Sequence, residues 1–94
     1  MEKNKMYLCV IDGEKITDRE MLHEILAEGL KLPEWYGGNL DALYDCLTEM
    51  REEAEIQVRH ESVLEAHLGG YARTLRKVLS SAAEENSGIS CRFE

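Results

Sequence analysis

The chain has 94 residues, 44% of them hydrophobic, and its 11 Lys and Arg against 19 Asp and Glu give a formal net charge of −8. That apolar content suffices for one small core, excludes the disordered class, and leads us to expect a single domain over residues 1–94. The acidic balance argues against nucleic acid or an anionic membrane surface as the partner and favours a basic protein.

The opening Met1-Glu-Lys-Asn-Lys5 lacks the apolar region of a secretion signal, so a cytoplasmic location is expected. The longest apolar run, Met6–Ile11, is far too short to span a bilayer. Cys9, Cys46 and Cys91 are odd in number, widely spaced and set in apolar patterns, which predicts reduced, buried thiols rather than disulfides or a zinc site.

Met6–Ile11, closed by Asp12-Gly13, reads as a buried strand and a turn. Its two faces are equally apolar, so which one is buried stays open. Thr17-Asp-Arg-Glu20 has the spacing of a capping box, followed by a helix with Met21, Leu22, Ile25, Leu26 and Leu30 on one face. Gly29 is expected to weaken or end that helix, and Pro33, the sole proline, to stop it. Gly37-Gly38 permits a turn, and Asn39 is a good N-cap for a helix from about Leu40 to Glu49. Leu40, Leu43, Leu47 and Met50 form its apolar stripe; Asp41, Tyr44, Asp45 and Thr48 share a second face. Glu55–Arg59 alternates as a half-buried strand should. Ser62-Val-Leu-Glu65 has capping-box spacing and predicts a short helix ended by Gly69-Gly70. A longer helix carries Tyr71, Leu75, Val78, Leu79 and Ala82 and finishes near Asn86 to Gly88, before a closing strand at Ile89–Phe93.

The order is therefore βααβααβ. Strands separated by two helices need long crossovers and are expected to be parallel, while polar alternation in the last two strands leaves one sheet face wet. The fold class is α/β in two layers, a three-stranded parallel sheet with helices on one side.

The functional candidate is the acidic face of the Leu40–Glu49 helix. Aspartates near a helix start are favoured by the dipole alone, by roughly 0.3–1 kcal/mol each. Trp35, Tyr36 and Tyr44 beside them are costly to expose and are the residue types that interfaces favour. A carboxylate pair could instead hold a metal or act as acid and base. Yet no histidine stands at ligand spacing from Asp41 and Asp45 and no nucleophile motif accompanies them, so no metal or cofactor is expected. His23, His60 and His67 lie in three separate elements, as surface or partly packed histidines usually do. Glu52-Glu53 and Glu84-Glu85 read most simply as solvated charges. Gly37-Gly38 lacks the following Lys-Ser/Thr of a phosphate loop.

The run Leu32-Pro-Glu-Trp-Tyr-Gly-Gly-Asn-Leu-Asp-Ala-Leu-Tyr-Asp-Cys-Leu47 closely resembles the signature of the barstar family, intracellular inhibitors of the secreted ribonuclease barnase. Length, element order and the strand–turn Val10-Ile-Asp-Gly-Glu14 fit as well. The resemblance implies a barstar-like fold, no catalysis, and a loop and helix that plug a ribonuclease active site with carboxylates in the place of substrate phosphate. Carried over by position, it implies partner contacts at Trp35, Tyr36, Gly37, Asn39, Asp41, Ala42, Tyr44, Asp45 and Thr48, with Asp45 dominant. Glu85 matches a nearby acidic position. Tyr44 stands where the family has tryptophan, Glu49-Met50 where it has Gly-Trp, and Ser81 where its type member has an interface glutamate. The implied partner is a basic secreted ribonuclease of barnase type, bound by a chain that is monomeric beforehand, with no direct contact to nucleic acid or membrane. A module of the same fold for a different basic toxin is the alternative.

Overall fold

The computed structural model describes residues 6–94. Residues 1–5, where no secretion signal is expected, lie outside the described residues. The elements are β1 (Met6–Asp12), α1 (Arg19–Leu30), α2 (Leu40–Glu49), β2 (Glu53–Arg59), α3 (Glu61–Leu68), α4 (Gly70–Glu85) and β3 (Ile89–Phe93). They follow the expected order, and the three strands form one sheet, β1-β2-β3, parallel throughout.

The register settles what the first strand left open. Cys9 and Ile11 of β1 align with Ile56 and Val58 of β2, and all four are buried beneath the helices. Ile89 of β3, opposite Ala54, completes this inner face. The outer face is polar on β2 and β3, with Glu55, Gln57, Ser90 and Arg92, but apolar on β1, where Leu8 is 56% exposed between Met6 and Val10. That apolar outer row is why β1 showed no alternation. β2 begins two residues before the expected start, because Ala54 already sits in the core.

The helix starts differ from the capping-box expectations. Asp18, not Thr17, caps α1, its carboxylate accepting from the Met21 amide at 2.8 Å. The Thr17 hydroxyl donates to the Met21 sulfur instead. Ser62 lies inside α3, whose N-cap is His60 with a left-handed backbone and no side-chain cap bond. Gly29 does not end α1. It lies where the helix presses on β1, and a Cβ there would stand 2.9 Å from Cys9 Sγ. The left-handed residue after the helix is Lys31.

The buried stripe of α1 is Leu22, His23, Leu26 and Leu30, so the helix is rotated from the expected face and leaves Met21 and Ile25 at the surface. In α2 the stripe is Leu40, Leu43, Cys46 and Leu47. The three cysteines are free; burial pushes the Cys9 and Cys91 thiols up to about 11. Cys46 is raised by burial first, then by Glu49 and Asp45. Among the described residues no helix is long and apolar enough to cross a membrane.

Candidate functional site

The loop between α1 and α2 is shaped by local chemistry. Its first turn closes with the Tyr36 amide donating to the Pro33 carbonyl at 3.0 Å. Gly38 follows at φ 71°, a conformation that disfavours any residue with a Cβ. Asn39, in extended conformation, then accepts from the Ala42 amide at 2.8 Å and starts α2. Pro33 and Gly38 thus set the path of the loop, and Asn39 fixes where the helix begins.

At the far end of α2, the side-chain amide of Asn86 donates to the Leu47 and Met50 carbonyls at 2.8 and 2.9 Å. The Leu47 carbonyl, which also accepts from the Met50 amide, and the carbonyl of the cap residue Met50 are thereby tied to α4. The same bonds bring the end of α4, where Glu85 is exposed, to the end of α2.

On this frame Trp35 is 68% exposed and borders a groove with Pro33, Cys46, Glu49 and Met50, while Gly37, Asn39, Asp41 and Asp45 are exposed as well. Ala42, Tyr44 and Thr48 are half-buried along the same helix. The Thr48 hydroxyl donates back to the Tyr44 carbonyl at 2.9 Å and so is occupied within its own helix. Tyr36 behaves differently from its neighbour Trp35. It is half-buried and turns its hydroxyl inward to His23 Nδ1. Asp41 borders an open groove of about 540 Å³ together with Arg19, Glu20, His23 and Tyr71.

The sequence reading gave His23 and Arg19 no part in this neighbourhood. His23 is 6% exposed, not a surface histidine, and bridges Tyr36 to Tyr71, whose Oη lies 2.7 Å from Nε2. Arg19 stacks over Tyr71 at 4.1 Å from the ring centroid and puts one cation at the edge of the acidic face. The available signal was the spacing of His23 with Leu26 and Leu30, which puts it on the apolar face.

Among the described residues, the one gathering of three metal-capable side chains is Asp12, Glu14 and His60, outside this site. There the two imidazole nitrogens face different carboxylates, Nδ1 at 3.1 Å from Asp12 and Nε2 at 3.8 Å from Glu14, so the ring lies between the two acids. Asp41 and Asp45 belong to no such group.

Residues 6–94 match the family model described as Barstar (barnase inhibitor). The chain is also 36% identical over 81 residues to YrdF of Bacillus subtilis (strain 168), a protein whose name carries a provisional assignment as a ribonuclease inhibitor; the match spans 85% of this chain and 89% of that protein.

Proposed function

The chain belongs to the barstar family, whose members are inhibitors and not enzymes, and from that premise we propose that it blocks the active site of a basic secreted ribonuclease of barnase type. The observation that carries this reading is Asp41 and Asp45, both exposed and one turn apart on a helix with a fixed start, with Trp35 also exposed in the loop that leads into it. A ribonuclease site collects Arg, Lys and His to hold a phosphodiester, and two carboxylates on a rigid helix complement it. Because the helix is already ordered, little conformational entropy is lost on docking.

In this account Asp45 enters the cationic pocket. Asp41, Asn39, Gly37 and Ala42 flank it, Trp35, Tyr36, Tyr44 and Thr48 extend the contact, and Glu85 adds charge at the rim. The inhibitor acts as a monomer in the cytoplasm and protects the producing cell until the ribonuclease is exported. Tyr44, Glu49-Met50 and Ser81 depart from the family pattern around this surface, which favours a partner whose rim differs from barnase, or a different basic toxin. The test is cleavage of a fluorogenic oligoribonucleotide by barnase in the presence of the purified chain. Stoichiometric inhibition supports the proposal; undiminished cleavage at a large molar excess counts against a barnase-type target.

A further inference from the structure

His23 is the one buried charged or polar residue among the described core residues, and both ring nitrogens are engaged. Nδ1 is bonded to Tyr36 Oη in the loop and Nε2 to Tyr71 Oη in α4. Within residues 33–38 the Tyr36 hydroxyl makes the only hydrogen bond to the helical layer; the other described bond, Tyr36 amide to Pro33 carbonyl, stays inside the turn. One imidazole therefore joins three separate parts of the chain, α1, the loop at Tyr36 next to Trp35 in sequence, and α4.

We propose that His23 is the positioning residue of this loop: held between Tyr36 and Tyr71, it sets the path that presents Trp35 and leads into α2, and adding a proton to its ring releases the loop. The neutral ring has one N–H and one lone pair. It can donate to one tyrosine hydroxyl and accept from the other, leaving nothing unpaired. The imidazolium has two N–H groups and no lone pair, so both hydroxyls would have to accept and turn their own protons away. It would also bring a charge into a buried position whose hydrogen-bond partners are neutral.

The other charged groups around the ring are Arg19, Glu20 and Glu24 on α1 and Asp41 on α2, and none is hydrogen-bonded to it. Burial lowers the His23 pKa from its usual 6.5, and burial raises those of Tyr36 and Tyr71, so the hydroxyls stay protonated. The folded chain thus binds the His23 proton less readily than the unfolded chain does. The stabilisation is complete above about pH 6.5 and declines as pH falls from there towards the lowered folded-state value.

The clamp can be read without any partner, because Trp35 is the only tryptophan. Acrylamide quenching and anisotropy of Trp35 should change between pH 7.5 and 5 in the wild type while far-UV circular dichroism stays constant. In His23→Gln, whose amide does not titrate, that change should vanish. In Tyr36→Phe, which keeps His23 but loses the bond, Trp35 should be more quenchable at pH 7.5 and insensitive to acid. A flat wild-type profile, or the same transition in both variants, overturns the proposal; should His23→Gln fail to fold, Tyr36→Phe decides it.

The consequence for recognition rests on the inhibitor reading. With barnase as probe, Tyr36→Phe should dissociate about fivefold faster, the net worth of one hydrogen bond. The wild-type to His23→Gln ratio of dissociation rates should rise in acid, where titration of barnase itself cancels. A pH-independent ratio overturns this half. A clear Trp35 transition without barnase binding leaves the clamp standing and fails the inhibitor reading.

Discussion

Asn39 is where local folding and the acidic face meet, and its replacement can be worked out from one bond. In Asn39→Ala the Ala42 amide loses its acceptor, which lies at 2.8 Å in the native chain. Loss of such a cap costs about 1 kcal/mol, within roughly 0.5–2. For a domain of this size each kcal/mol moves the melting temperature by about 4–8 °C. The deficit is therefore expected near that range, by thermal circular dichroism. Asn39→Asp keeps a side-chain acceptor and adds favourable charge at the positive end of the helix, although Asp41 stands two residues away. It should recover at least half of the deficit. Because Asp41 rides on the first turn of α2, the Ala variant should also inhibit the ribonuclease less well than its stability loss alone accounts for. If Asn39→Ala melts like the wild type, or Asn39→Asp falls as far as Asn39→Ala, the cap is not what fixes this helix.

Two further expectations test the frame and the electrostatics. A Cβ at Gly13 would stand 2.3 Å from the His60 carbonyl oxygen and 2.8 Å from the Leu64 amide nitrogen, both backbone atoms with little freedom to move. Gly13→Ala should cost about 1–3 kcal/mol from overpacking, with roughly 1 more if the Gly13 amide to Arg59 carbonyl bond is lost, and urea denaturation with an unchanged midpoint would contradict this. Association of a chain with net charge −8 with a basic ribonuclease should slow steeply with added salt in stopped flow, since screening sets in at about 10 Å in 0.1 M salt; a flat dependence would remove charge from recognition.

The sheet and the acidic helix were legible because each rests on a periodicity that burial enforces. Ile56 and Val58, alternating with Glu55, Gln57 and Arg59, gave β2 its inner face, and Leu40, Leu43 and Leu47 gave α2 its own. β1 hid its orientation because Met6, Leu8 and Val10 are apolar on the open side, so no alternation marked the inner face. The helix starts were misplaced because Thr17 and Asp18 can both cap, and sequence spacing does not say which adopts the extended backbone. Gly29 resembled a helix stop, yet its reason is the close approach of Cys9, a contact between elements 20 residues apart in sequence. His23 and Asn86 were invisible for the same cause. Each acts through partners distant in sequence, Tyr71 for one and the α2 carbonyls for the other.

The central claim is that Asp45 supplies the carboxylate that enters the ribonuclease pocket, and the Asp45→Ala substitution tests it most directly. The side chain is exposed on α2, and alanine is the better helix former, so the dipole term lost is about matched by propensity gained. Melting temperature and circular dichroism should hardly change. In the complex the loss leaves the partner's cationic groups desolvated and unpaired, which costs about 2 kcal/mol or more; the barnase–barstar pair is itself one of the systems from which that range comes. Inhibition measured with the cognate ribonuclease should weaken at least tenfold, chiefly through faster dissociation, while Glu85→Ala loses much less. An Asp45→Ala protein that inhibits the cognate enzyme as the wild type does would contradict the phosphate-mimic account of this helix.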